Sequence, residues 1–130
     1  MFEFNENNEV TDKHVYRVIL VGVSFGEDIT ASMEELEGLA EAADVEILGQ
    51  MLQARERPDT ATYIGKGKVE ELAEICSNMG ANTVIFNNEL SGMQLRNLED
   101  AVGVTVLDRT ILILDIFADR ATSSVGKLQV

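Results

Sequence analysis

Apolar and polar positions along this chain switch repeatedly between a period of two and a period near 3.6. Arg17–Ser24 reads Arg-Val-Ile-Leu-Val-Gly-Val-Ser, apolar on both faces, which predicts an interior strand of a parallel sheet. Ser32 with Glu35 three residues later predicts a capping box. The helix it opens has Leu36, Leu39, Ala40 and Ala43 inward and Glu34, Glu35, Glu37 and Glu41 in water. Val45–Ala54 is the second predicted strand. Lys68–Asn78 is the second helix, with Val69, Leu72, Ala73, Cys76 and Met79 inward and Gly80 as its left-handed stop. Asn82–Asn87 is the third strand. Ser91 and Gln94 cap the third helix, Leu90 staples to Leu95, and Leu95, Leu98 and Val102 face the core until Gly103. Val104–Asp108 is a short fourth strand.

Strands alternating with capped helices predict βαβ units, hence an α/β fold with a parallel sheet and right-handed crossovers. The expected sheet is four-stranded, in order 2-1-3-4, with helices on both faces. A last helix starts at Thr110, and its Ile111, Leu112, Ile113, Leu114, Ile116, Phe117, Ala118 and Ala121 leave one polar stripe of Asp115, Asp119 and Thr122. A helix so apolar needs cover on more than one side. The division expected is a disordered polar arm over 1–16, an α/β domain over 17–108, and over 109–130 the start of a helical, coiled-coil subdomain that is cut short. An exposed 110–122 helix would also favour a homodimer or a swap.

Composition narrows the function classes. The 130 residues allow one domain with a real core. Aromatics make up 5% with no Trp, too few for a base-stacking platform. A net charge of −13 argues against nucleic-acid binding by the whole surface, so any RNA contact must be a local basic patch. Between Glu27 and Glu46 stand eight acids and no base, and that face repels phosphate. The single Cys76 excludes an internal disulfide and a cysteine-based zinc cluster, and reads as a buried inert thiol. His14, the only histidine, lies in the polar arm and cannot build a metal site alone. No signal peptide and no membrane-length apolar run is present, so the expected location is cytoplasmic, without a membrane partner.

One stretch stands out, Arg55-Glu-Arg-Pro-Asp-Thr-Ala-Thr-Tyr-Ile-Gly-Lys-Gly-Lys68, which holds the only proline and four of the ten basic residues. Gly65 and Gly67 permit positive φ and close backbone approach, so the turn into the second helix presents free N–H groups. Lys66 and Lys68 sit at the positive end of that helix, unfavourable for a cation by about 0.3–1 kcal/mol unless an anion docks there. From spacing alone the stretch is either a phosphate-binding turn for a nucleotide or RNA backbone, or a solvated loop with two lysines. Thr62-Tyr-Ile-Gly-Lys-Gly-Lys-Val-Glu-Glu-Leu72 after Arg57-Pro58-Asp59 resembles the N-terminal domain of the HflX family of ribosome-associated GTPases. Val18-Ile-Leu-Val-Gly-Val23, Val84-Ile-Phe-Asn-Asn-Glu-Leu-Ser91 with Gln94-Leu-Arg-Asn-Leu98, and Asp108-Arg-Thr-Ile-Leu-Ile-Leu-Asp-Ile-Phe-Ala118 fit the same family in the same order. Gly126-Lys-Leu-Gln-Val130 matches the place where its members continue into a helical hairpin and a GTPase domain.

The resemblance implies a GTP-binding protein acting on the large ribosomal subunit, in dissociation or rescue of ribosomes. Its GTP and magnesium would be held in a separate GTPase domain. This chain would then dock on rRNA and restrain or position that domain. The candidates for phosphate, RNA or nucleotide contact are Arg55, Arg57, Tyr63, Gly65, Lys66, Gly67, Lys68, Arg96 and Arg109. The competing reading is a nucleotide-binding domain with weak NTPase activity of its own, the ligand lying at the carboxyl ends of the strands. For Arg96 the plain expectation is a salt bridge to Glu99 or Asp100. Asp108 with Arg109 reads as a charge pair fixing the turn into the last helix. No Gly-x-x-x-x-Gly-Lys-Ser/Thr loop occurs, and Gly22-Val-Ser-Phe-Gly-Glu27 lacks the third glycine of a dinucleotide fingerprint. A phospho-receiver site fails as well, since Asn87-Asn88 stands where an aspartate is required. No nucleophile–histidine–acid set can be assembled, so no residue is assigned to catalysis.

Overall fold

A computed structural model describes residues 16–115. The polar arm with His14, the last helix beyond Asp115 and the 126–130 segment lie outside them. The elements run β1 (Arg17–Ser24), α1 (Thr30–Ala42), β2 (Glu46–Ala54), α2 (Lys66–Met79), β3 (Thr83–Phe86), α3 (Gly92–Val102) and β4 (Thr105–Asp108). A further helix begins at 109 and is followed to 115. The strands form one parallel sheet in the order β2-β1-β3-β4, as the alternation predicts.

β1 is central, and its apolar run explains why: Val18, Ile19, Leu20, Val21 and Val23 are all buried. Side chains alternate between two cores. Ile19, Val21, Val23, Val84 and Phe86 pack with Val69, Leu72 and Cys76 of α2 and Leu98 and Val102 of α3. Val18, Leu20 and Ile85 pack on the other face with Met33, Leu36 and Ala40 of α1 and with Leu112. Helices therefore cover both faces. Leu48 sits at a register shift, with Val18 facing Ile47 and Ile19 facing Gly49, so β2 carries a bulge near its start.

The predicted caps of α2 and α3 hold. Gly80 and Gly103 adopt left-handed φ values of 74° and 85°, where a Cβ would be strained. Ser91 and Gln94 form the reciprocal capping box, and Leu90 and Leu95 join the same core cluster.

Three local expectations are corrected. α1 starts at Thr30, and Ser32 is not its cap. Asp28 Oδ1 takes the Thr30 N–H at 2.9 Å, while the Ser32 hydroxyl accepts from Asn87 Nδ2 at 2.8 Å, so a distant partner claims it. Met79 is exposed, because Gly80 turns the chain and Ala81 enters the core in its place. Gly65 does not use a positive φ; it is extended at φ −66°, ψ 157°. The left-handed residue of that turn is Tyr63, at φ 66°.

Candidate anion-binding crest

All four strands end on one crest, and three features of residues 55–65 fix the loop that crosses it. Asp59 and Tyr63 exchange backbone bonds of 3.0 and 2.9 Å, making a tight closed turn. Asp59 Oδ1 accepts the N–H groups of Ala61 at 2.8 Å and Thr62 at 3.0 Å, the local aspartate turn that such short polar side chains form. From α3, Gln94 Nε2 donates to the carbonyls of Asp59 and Thr60 at 3.1 and 3.2 Å, and Asn97 Nδ2 donates to Ala61 at 3.0 Å. The loop is thus fastened to α3 as well as to itself.

Where the loop enters α2, Gly65 is the N-cap, and no side chain bonds the first-turn amides. Gln53 Oε1 takes the Gly65 N–H at 3.1 Å. The helix starts two residues earlier than predicted, so Lys66, Gly67 and Lys68 all lie in its first turn, which contains no acid. Arg55 folds back over the same place. Its Nε donates to the Arg57 carbonyl at 2.9 Å, and its Nη1 lies 2.6 Å from where a Cβ on Gly65 would be. The first-turn amides and the positive helix end therefore lie beside the Arg55 guanidinium, with Lys66 and Lys68 in the same turn but two positions apart, on different sides of the helix.

The other candidates are placed differently. Lys68 is paired with Glu71 at 3.2 Å across an exposed i,i+3 step, a contact worth only a few tenths of a kcal/mol, about 0.2–0.5, at a helix surface. Lys66, Arg57 and Arg96 make no ion pair among the described residues. Arg96 does not bridge to Glu99 or Asp100; its guanidinium lies back toward Gly92 at the start of α3, and Glu99 instead accepts the Val106 N–H. Arg109 lies on the opposite face of the sheet, bonded to Asn87 Oδ1 at 2.7 Å, to Ser32 and to Glu35. Its supposed partner Asp108 is buried and accepts the Leu90 and Ile111 N–H groups, both at 2.9 Å. Asp108 fixes the turn into the last helix, as expected, but through amides and not through Arg109.

Tyr63 is half-buried, edge-on to Phe25 with ring centroids 5.9 Å apart. Burial pushes its hydroxyl above the ordinary range, and the neighbouring Asn88 amide pulls it partly back. The Thr62 and Ala61 amides hold the Asp59 carboxyl below its usual value. Gln53, Asp59 and Asn97 are supporting residues whose roles sequence reasoning passes over, and it reads Gln94 for its cap but not for its hold on the loop. Asp59 leaves a signal of its own, an aspartate directly after a proline and two and three residues ahead of the amides it binds.

The crest does not fit a magnesium-bound nucleotide of the P-loop kind. Gly65-Lys-Gly-Lys68 carries no Ser or Thr hydroxyl for the metal, and no group of three or more metal-ligating side chains occurs among the described residues. Nor is any helix among them long and apolar enough to cross a membrane.

Comparison with known proteins places this architecture. The model of the GTP-binding GTPase N-terminal family matches residues 30–118. GTPase HflX of Alkalihalophilus pseudofirmus is 46% identical over 125 residues, covering 94% of this chain and 30% of the relative. GTPase HflX of Caldanaerobacter subterraneus is 48% identical over 88% of this chain and 27% of the relative. GTPase HflX of Escherichia coli is 42% identical over 88% and 27% respectively. Among solved structures, a GTP-binding protein from Sulfolobus solfataricus in complex with GDP shares the fold, with a TM-score of 0.61 at 23% identity over 78% of this chain and 30% of that one. The chain thus spans under a third of the length of these relatives. On sequence and fold together, it belongs to the GTP-binding GTPase N-terminal family, the N-terminal domain of the HflX GTPases.

Proposed function

We propose that this chain is the ribosome-docking and regulatory domain of an HflX-like GTP-binding protein, acting on the large ribosomal subunit in ribosome dissociation or rescue. GTP hydrolysis belongs to a separate GTPase domain that holds GTP and magnesium, and this chain positions that domain against the ribosome in the cytoplasm. The observation that carries the reading is the start of α2: an N-terminus with no side-chain cap and no acid in its first turn, flanked by Lys66, Lys68 and Arg55. On a chain of charge −13, gathering cations at a helix N-terminus is costly unless a polyanion compensates them. An rRNA backbone does so, and the acidic α1 face then points away from it.

Filter binding to large ribosomal subunits across a salt series tests this. Affinity should fall steeply with salt, as phosphate contacts require, and Lys66→Ala/Lys68→Ala should weaken it and flatten the slope. Binding without a salt slope, or untouched by the double substitution, sinks the proposal. Tight ATP or GTP binding by this chain alone, lost in the same variant, would transfer the patch to the nucleotide-binding alternative.

A further inference from the structure

The two edges of the sheet are treated differently. At β4 the Val106 N–H is taken by Glu99 Oε2 at 3.0 Å, so a carboxylate guards that edge. β2 bonds only β1 along its whole length, and no described residue occupies its outer backbone groups. Such an edge is a template for another strand unless it is blocked. Only Met51 of β2 is buried, and Leu52 is 53% exposed. Leu52 also floors a groove of about 520 Å³ between β2 and α1, with Ile29 and Met33 beneath and Glu27, Glu34 and Glu37 on the rim.

We propose that the β2 edge and this groove form a docking site for an extended cationic peptide segment of another protein. The segment adds as a fifth strand, sets one apolar side chain over Leu52, and lays lysines or arginines along the α1 carboxylates. Main-chain bonding supplies affinity and the alternate side chains supply selectivity, as in other strand additions. Charge complementarity chooses the occupant. A second copy joined edge to edge about a two-fold axis would put both α1 helices on the same face of the joined sheet, acid against acid, and like charges so placed are repulsive. A nucleic-acid strand is repelled by the same rim. The site lies apart from the α2 start, so it stands or falls independently of rRNA docking.

The test uses fluorescence anisotropy with a short fluorescein-labelled peptide of alternating lysine and valine, titrated with the 130-residue chain. A second peptide of equal charge carries N-methyl groups on alternate backbone amides. Glu34→Lys/Glu37→Lys, both changed at partly or fully exposed positions of α1, should weaken binding by roughly tenfold or more, and N-methylation should do the same. Lys66→Ala/Lys68→Ala should leave it unchanged. Hydrogen exchange in the complex should slow at those β2 amides not bonded to β1. Equal binding of the methylated peptide, or protection that avoids β2, overturns the proposal. So does a dimer in sedimentation that Leu52→Lys dissociates, because the edge would then belong to a second copy.

Discussion

Arg55 Nη1 occupies the space beside Gly65 so closely that a Cβ there would stand 2.6 Å from it, with Gln53 Nε2 at 3.4 Å. The glycine is therefore required for close approach and not for its φ, which any residue could adopt. Because the obstructing atom is the far end of a flexible side chain, Gly65→Ala should cost little stability, about 1 kcal/mol or less. Its effect should appear in binding, by displacing Arg55 from the start of α2. Urea unfolding and ribosome binding measured on the same variant separate the two. Gly103→Ala is the contrasting control: nothing lies within 4 Å of its Cβ, yet its left-handed φ should cost about 1–2 kcal/mol.

The Asp59 turn makes a pH prediction. Bonds from the Thr62 and Ala61 amides hold its carboxyl below the ordinary value, so the ionised form favours the folded turn. That contribution is complete above the unfolded aspartate value of about 3.9 and is lost as pH falls through the depressed folded one. Protection of the Ala61 and Thr62 amides, taken relative to their intrinsic exchange rates at each pH, should hold through neutrality and fall only in acid. Asp59→Asn keeps an acceptor oxygen and should remove that acid dependence, whereas Asp59→Ala should speed exchange at every pH.

Asp108 is 3% exposed and serves two amides, of Leu90 and Ile111. Asp108→Ala leaves both donors without partners, and each unsatisfied buried group costs on the order of 1–3 kcal/mol. A loss of about 2–4 kcal/mol is expected, read as a lower urea midpoint. Asp108→Asn retains one acceptor and should lose less. Arg109→Ala should not mimic either change, since Arg109 bonds Asn87, Ser32 and Glu35 instead.

Cys76 offers a simple probe of the α2 core. It is 2% exposed, and burial raises its thiol above the usual range. A disulfide reagent at neutral pH should react slowly in the folded chain and at an ordinary thiol rate in urea, because the thiolate is the reacting species. Fast reaction without denaturant would show that α2 does not stay packed on the sheet.

What the sequence discloses follows the range over which each residue's partner lies. The β1 run, Gly80, Gly103 and the Ser91–Gln94 box depend on neighbours within a turn, so their residue types announce them. Ser32 misleads because its partners are Asn87 and Arg109, 55 and 77 positions away. Asp108 and Arg109 look paired because they are adjacent, although helix entry points them to opposite tasks. The crest was legible as glycines and lysines, but its shape was not. Gln53, Gln94 and Asn97 are ordinary polar residues, and only the crossing of β2, the loop and α3 gives them work.

Asn88 shows the same long-range logic at the end of β3. That strand stops at Phe86, while β1 continues to Ser24. Val23 is fully buried, and its amide and carbonyl would have no strand to bond on the β3 side. The Asn88 side chain replaces one, its Oδ1 accepting the Val23 N–H at 3.0 Å and its Nδ2 donating to the Val23 carbonyl at 3.1 Å. Asn88→Ala should destabilise by about 1–3 kcal/mol, the cost of orphaning a buried backbone group. Asn88→Asp should be no better at neutral pH, since it keeps the acceptor, loses the donor and turns a charge toward a carbonyl. Protonation restores a donor, so its stability should recover in acid while that of Asn88→Ala does not. Asn88 also neighbours the Tyr63 hydroxyl, so exchange at the Tyr63 amide, bonded to Asp59 at 2.9 Å, should quicken in both variants. An unchanged Tyr63 rate beside a lowered urea midpoint would mean that the clamp serves the sheet alone and that the crest loop is held by α3.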